Sequence, residues 1–397
     1  MVNARAETKR HGAIAPLAAI MMIFVIGMVA FAVDIGWIVL AKTNLQNTAD
    51  SAALAGADPL MNGYVQYNLA STNALKTTVL NATLVSARTR AKEYAGYNSA
   101  GGVSSLALND SDIEFGFLDA KNNYTPMPTY TGFPNTIKVT MRLDNQANKP
   151  LNLFFGPAMG TKTTNVNATA SATVYTGVVN GFNSGTLNSG VLPFTYDVNF
   201  WNNFLKTGQD PSGNSMTDAN GVPELQVYPN NKYKGNFGQL SLDDSHVGNS
   251  VETSWIANGM SPSDIKSLQA ANLVPLANPP ANSWNWIGDT GMKGALVQTI
   301  NSYVGQNFVL PLFQPVNGGV PNANSYQAAV GNGSQYFYNI VQFVGVQIMP
   351  SPKNNGQVIM QPAAIVDPNA IFDPTTVTPA GNSSGVVTTF TTPKLTR

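Results

Sequence analysis

Residues able to carry out catalysis are sparse in this sequence. It contains no cysteine and two histidines, His11 and His246, which excludes thiol nucleophiles, thiolate zinc sites and disulfides. Ser245 and His246 stand beside Asp243 and Asp244, so the residue types of a catalytic triad occur together. A working triad is assembled from separate segments, whereas adjacent residues of one loop point in different directions. No Gly-x-Ser-x-Gly elbow, phosphate-binding loop or HExxH motif is present. We therefore expect no catalytic residues and no enzyme.

Oxygen ligands for a hard cation occur together in one Gly-rich stretch. Carboxylate and amide oxygens are the ligands that calcium prefers. Their spacing does not follow the 12-residue EF-hand pattern, and Asx residues in turns ordinarily accept hydrogen bonds from their own backbone. The calcium candidates are Asp210, Asn214, Asp218, Asn220 and Glu224. Apart from them we expect no metal and no cofactor.

The composition restricts the kind of protein. Charged residues make up 11% of the chain, against about 25% in typical soluble proteins, yet 43% is hydrophobic, enough for a sizeable core. The 21 basic and 21 acidic residues give zero net charge. Binding of nucleic acid needs a basic excess, so we expect no nucleic-acid partner, and no motif indicates a small-molecule substrate. Low charge without cysteine is typical of exported bacterial envelope proteins.

The N-terminus predicts a single membrane anchor. A basic tail at residues 1–11 precedes 22 consecutive uncharged residues, 12–33, which as a helix span about 33 Å, enough to cross a bilayer. We assign the anchor to residues 12–40. The basic tail favours a cytoplasmic N-terminus and a periplasmic remainder. A cleaved signal peptide, cut after the small-x-small pattern at 30–32, is the alternative. The residues that define the anchor are Gly12, Pro16, Gly27, Asp34 and Trp37.

Asp34 ends the uncharged run at the level of the outer headgroups. It is either a buried carboxylate paired with a partner helix or an interfacial residue in contact with water, beside Trp37 as an aromatic anchor.

The helical pattern continues through residues 42–58, where Leu45, Ala49, Ala52 and Gly56 form a stripe of small residues. This stripe packs either on a partner or on the chain's own next helix, predicted within 64–97. We expect Pro59 to end the first helix.

These residues carry a family resemblance. The strings RHGAIAPL (10–17), AVDIG (32–36) and LQNTADSAALAGA (45–57) resemble the N-terminal module of TadG-like proteins of Flp (tight adherence) pilus assembly. The resemblance implies an inner-membrane anchor that leads into an extracytoplasmic domain. Some TadG-like proteins also carry a metal-dependent adhesion domain that begins Asp-x-Ser-x-Ser. That string is absent here, so metal-dependent adhesion is not supported.

Alternating patterns predict antiparallel strands after the helices. They lie at residues 113–117, 137–143 and 166–174, with an apolar Phe-Phe-Gly loop or short helix between the last two. Further strands are predicted at 308–313, 336–349 and 357–366, and a helix capped by Ser261 and Asp264.

The predicted fold is α+β, a long transmembrane helix continuing into a helical pair and then an antiparallel β-rich region. We divide it into a helix pair with a small sheet (41–176), a turn-rich linker (177–190) and a β-rich C-terminal region (191–397).

Together these features favour a non-enzymatic component of Flp pilus assembly in the bacterial inner membrane. Its expected partners are membrane lipid, other pilus-assembly proteins and a second copy of itself. One alternative is a pseudopilin processed after Gly12, although Leu17 stands where prepilin segments place a Glu. The other is an adhesin or carbohydrate-binding protein. Its stacking residues would be Trp201, Trp255, Trp284 and Trp286, the last two in a Pro/Asn-rich loop that could expose both.

Overall fold

The computed structural model describes most of the chain. The described residues are 14–229, 233, 235–241, 249–271, 284–289, 291–316, 327–332, 335–351, 356–382 and 386–396. Within them the chain forms α-helices at α1 (Ile14–Leu69), α2 (Asn73–Gly96), α3 (Val198–Thr207), α4 (Asn249–Asn258), α5 (Pro262–Ala271) and α6 (Gly294–Asn301).

The strands are short except in the two sheets that organise the fold. In chain order they are β1 (Ile113–Leu118), β2 (Tyr124–Pro126), β3 (Thr136–Leu143), β4 (Leu151–Asn152), β5 (Thr163–Thr164), β6 (Val166–Thr173), β7 (Tyr175–Thr176), β8 (Val179–Phe182), β9 (Phe194–Asp197), β10 (Met216–Thr217), β11 (Pro223–Tyr228), β12 (Phe237–Leu240), β13 (Trp284–Asp289), β14 (Asn307–Gln314), β15 (Val330–Asn332), β16 (Gln335–Met349), β17 (Val358–Pro362), β18 (Ala370–Phe372), β19 (Thr378–Pro379) and β20 (Lys394–Thr396).

Helix α1 is one continuous helix of 56 residues, so the prediction that Pro59 ends it is wrong. A proline inside a helix removes one backbone hydrogen bond and usually kinks or breaks the helix. Here the neighbours Ala57 and Leu60 are fully buried in the core on either side of Pro59. Tertiary packing therefore carries the helix through, and the chain turns after Leu69 instead, where Thr72 caps α2.

The first sheet is antiparallel with strand order β2-β1-β3-β6-β20; α1 packs on its β3 and β6 strands, and α2 packs on α1. Alternation places Ile137, Val139 and Met141 of β3 in the core, where they join Leu45 and Ala49 of α1. The intervening polar side chains face away. This confirms the predicted strands and the helix pair.

The second sheet has nine strands in the order β10-β11-β17-β16-β13-β12-β9-β14, with β15 pairing with β16. Strand β16 also pairs with β14, which closes β16, β13, β12, β9 and β14 into a ring. All these pairings are antiparallel except that between β9 and β14. The interior of the ring holds buried aromatic side chains such as Trp286, Phe313 and Tyr338.

The C-terminal part of the chain pairs with strands that directly follow the helix pair's sheet region, and β20 joins the first sheet itself. Strand β20 pairs with β6, β19 with β7, and β18 with β8. Asn135 Nδ2 donates to the carbonyl of Ala380 over 2.8 Å, and both residues are buried. Strand β8 lies within residues 177–190, for which the sequence predicts a linker. The proposed division at 177–190 stays a prediction.

Candidate functional site

The candidate site is centred on the carboxylate of Asp34, at the end of the uncharged segment of α1. Asp34 is 7% exposed, and its carboxylate accepts hydrogen bonds from two consecutive backbone amides. Phe154 N–H donates to Oδ1 over 2.8 Å, and Phe155 N–H donates to Oδ1 over 3.2 Å and to Oδ2 over 3.1 Å. A carboxylate that accepts amide donors is held more tightly than a neutral acceptor. Asp34 thus fixes a loop 120 residues away in the sequence.

Trp37 holds the same loop one turn further along α1. Its indole Nε1–H donates to the carbonyl of Asn152 over 3.1 Å, and its ring lies 5.6 Å from that of Phe154 in a tilted arrangement. The loop runs from β4 to β5 and contains a 3-10 helix, Gly156–Met159. We call residues 152–159 the exit loop. Together Asp34 and Trp37 connect the exit loop to α1 through one carboxylate, one indole and one ring contact.

The surroundings of Asp34 differ from both arrangements predicted from the sequence, a carboxylate paired with a partner helix and an interfacial residue in contact with water. The side chain is buried rather than in contact with water, and its partners are amides of its own chain rather than a second helix. The sequence analysis missed Phe154 and Phe155 as partners of Asp34, and Asn152 as the partner of Trp37. The one available signal was the apolar Phe-Phe-Gly string, which had no buried role in the predicted sheet.

The small-residue stripe lies in the interface that α1 forms with α2 and the first sheet. Leu45, Ala49 and Ala52 are fully buried, and Gly56 is buried as well. A Cβ atom at Gly56 would lie 3.2 Å from the carbonyl oxygen of Ala87 in α2 and 2.6 Å from Cδ1 of Ile137. These contacts belong to the chain's own core. The stripe is therefore occupied within this molecule.

The other anchor residues lie along the apolar segment. Pro16 is in the first turn of α1 as described, and Gly27 has no atom within 4 Å of a would-be Cβ. Gly12 lies outside the described residues. All large apolar side chains of residues 17–33 are exposed, at 43% or more of their area. This segment makes α1 the one described helix that is long and apolar enough to cross a membrane.

Four of the five calcium candidates lie in two turns, where the carboxylates of Asp210 and Asp218 accept backbone hydrogen bonds. Asp210 Oδ1 accepts from the amide of Asn214, and Asp218 Oδ1 accepts from the amides of Asn220 and Val222, all within 2.9 Å. Glu224 lies on β11, where burial first and then the Asp218 charge raise the pKa of its carboxyl. Among the described residues, no three His, Cys, Asp or Glu side chains group to hold a metal.

The remaining candidates differ in their outcome. The cluster Asp243, Asp244, Ser245 and His246 lies outside the described residues. Trp201 and Trp286 are fully buried and Trp255 is 6% exposed. The prediction that Trp284 and Trp286 stand in a loop is wrong, because both belong to β13, which pairs with β16.

Comparison with known families identifies the segment that contains this site. Residues 12–58 match the Tad family model, described as Flp pilus-assembly TadE/G-like. This N-terminal segment of the chain is similar to the Tad family. The matched Tad segment contains Asp34, Trp37 and the small-residue stripe, and the family is of a non-catalytic, structural kind. The Tad match supports a pilus-related role. No curated protein and no solved structure matches the chain.

Proposed function

We propose that this protein is a non-enzymatic component of Flp-type pilus assembly, anchored in the inner membrane by α1. Its N-terminus lies in the cytoplasm, and the region after residue 40 contacts other pilus-assembly proteins in the periplasm. The orientation follows from Arg5, Lys9 and Arg10 before the apolar run, since basic residues favour the cytoplasmic side.

The observation that carries the proposal is the change of burial along α1 within the Tad segment. The apolar side chains of residues 17–33 are exposed in this chain, whereas Ala41, Leu45 and Ala49 are fully buried. A large, continuous, exposed apolar surface is stable in a bilayer and unstable in water. One helix therefore serves as both anchor and core element, and the change falls between Asp34, which is buried, and Ala41, since Ile35, Val39 and Leu40 between them are still exposed.

Topology gives the first test. The chain lacks cysteine, so Leu187→Cys, at a side chain 58% exposed, provides one labelling site in the region after residue 40. A maleimide that cannot cross membranes should label it once the outer membrane of native cells is opened. Protection until the inner membrane is also opened would reverse the orientation.

Pilus assembly gives the second test. Deletion of the gene should leave the pilin subunit present in cells but abolish surface pili, and the intact gene should restore them. Normal pili without the protein would refute the assembly role. The intact mass of the protein separates the alternatives: a start at Ala13 indicates a processed filament subunit, and a start at Val33 a secreted protein.

A further inference from the structure

The exit loop carries apolar side chains on its surface. Phe154 is 62% exposed, Phe155 46% and Met159 80%. Three such side chains within six residues exceed the scattered exposed apolar residues of an ordinary soluble surface. The Asp34 and Trp37 contacts hold this apolar loop beside α1, at the end of its uncharged run.

A groove of about 550 Å³ lies between the exit loop and the part of α1 that precedes and follows Asp34. Its α1 wall extends from Ile23 to Ile38, about 22 Å at 1.5 Å per residue. Phe155 and Met159 line the opposite wall. Since Ile23, Gly27 and Ala30 precede Asp34 in the uncharged run, the groove extends to the membrane side of Asp34. The exit loop therefore overlaps the anchor segment rather than standing clear of it.

Phospholipid is the occupant that the surroundings of this groove favour. The groove is continuous with the exposed apolar surface of residues 17–33, so acyl chains have direct access to it. Exposed Lys42 lies about 12 Å beyond Asp34 along α1, and exposed Lys162 directly follows Thr161 of the groove lining. Basic side chains in such positions meet lipid phosphates.

We propose that the exit loop inserts into the periplasmic leaflet of the inner membrane and that the groove beside it holds a phospholipid acyl chain. This inference rests on the proposed anchoring of α1. Anchoring by one helix alone leaves the folded region free to tilt. A second contact with the leaflet, fixed to α1 through Asp34, sets the distance and orientation of the periplasmic region relative to the membrane.

Depth measurement tests the insertion. Met159→Cys in the full chain is labelled with a nitroxide and placed in nanodiscs of phosphatidylethanolamine and phosphatidylglycerol. We expect molecular oxygen to relax the nitroxide at residue 159 several-fold more strongly than a water-soluble nickel chelate does. A nitroxide on Met22→Cys in the anchor should show the same preference for oxygen. The aqueous control is Val85→Cys on α2, a side chain 63% exposed, which should show the reverse preference.

The controls separate this inference from the anchoring. A Met159→Cys label that behaves like Val85→Cys, while Met22→Cys reports the bilayer, overturns loop insertion and leaves the anchor in place. If the Met22→Cys label is also aqueous, the anchor fails and the inference fails with it.

Native mass spectrometry tests the groove. After detergent extraction the wild-type chain should retain one phospholipid. Ala30→Trp places a ring in the groove and should reduce the retained fraction at least several-fold. Met28→Trp is the matched control, since Met28 is 71% exposed and lies about 200° around α1 from Ala30, and it should retain lipid as the wild type does. Equal retention by both variants, or a second protein chain bound in place of lipid, overturns the proposal.

Discussion

Replacement of Asp34 by alanine should release the exit loop from α1. The substitution removes the acceptor of two amide donors, those of Phe154 and Phe155. A hydrogen bond to a charged group contributes roughly 1.5 to 3 kcal/mol. Because both bonds are only partly buried and share one carboxylate, we take about 2 to 4 kcal/mol for the pair. At 1.4 kcal/mol per factor of ten, local opening should become roughly 30-fold to 700-fold more frequent.

Hydrogen exchange of the peptide that covers residues 151–161, with the full chain in nanodiscs, measures this opening directly. Asp34→Asn keeps one carbonyl oxygen without the charge, so its exchange should lie between that of the wild type and Asp34→Ala. Asp50→Ala is the control, because Asp50 lies on the same helix and accepts from Gln46 over 2.8 Å. Unchanged exchange in Asp34→Ala, or equal acceleration in Asp50→Ala, would show that the carboxylate does not hold the loop.

Three further changes test the anchor, the helix pair and the β-rich region. Gly27→Arg should cost about 2.5 to 3.5 kcal/mol of insertion, so membrane fractionation should recover less protein, and normal recovery would contradict the anchor. Gly56→Leu forces a side chain against Ile137 and should lower stability by about 1 to 3 kcal/mol in thermal unfolding, whereas Gly27→Ala, with open space around it, should not. Glu224→Gln should raise the unfolding temperature at pH 7, because burial and Asp218 raise the folded-state pKa of the Glu224 carboxyl and make its ionised form unfavourable. That gain should vanish below about pH 4, where the carboxyl is protonated in both folded and unfolded states; a gain that persists there would rule out ionisation as its cause.

The elements were predictable because their signals are local. The period-two alternation of β3 and β6 marks which side chains face the helices, and the register Ile137↔Ala172 follows that alternation. The predicted cap of α5 is also present: Ser261 N–H donates to Asp264 Oδ2 over 2.8 Å, and Asp264 N–H donates to Ser261 Oγ over 3.2 Å.

Contacts between distant segments were not predictable from these patterns. The partners of Asp34 lie 120 and 121 residues away, and the Thr173 and Thr396 hydroxyls that meet across β6 and β20 are separated by 223 residues. Periodicity reports which face of a strand is buried but not which strand it pairs with. The Pro59 prediction failed for a related reason: local propensity disfavours proline within a helix, and the packing that overrides it is tertiary.

Because α1 is unbroken, motion of its apolar segment is transmitted directly to the folded region. A helix of 56 residues is about 84 Å long, and the same rod carries the exposed apolar side chains before Asp34 and the buried ones after Ala41. With no loop between anchor and core, a tilt or rotation of the apolar segment moves the first sheet with it. The bonds from Asp34 and Trp37 to the exit loop connect the β4–β5 hairpin, which lies between β3 and β6 in the sequence, to α1 near the point where the helix changes surroundings. We therefore expect changes at Asp34 to alter the orientation of the periplasmic region while leaving membrane insertion intact, and changes at Gly27 to do the opposite.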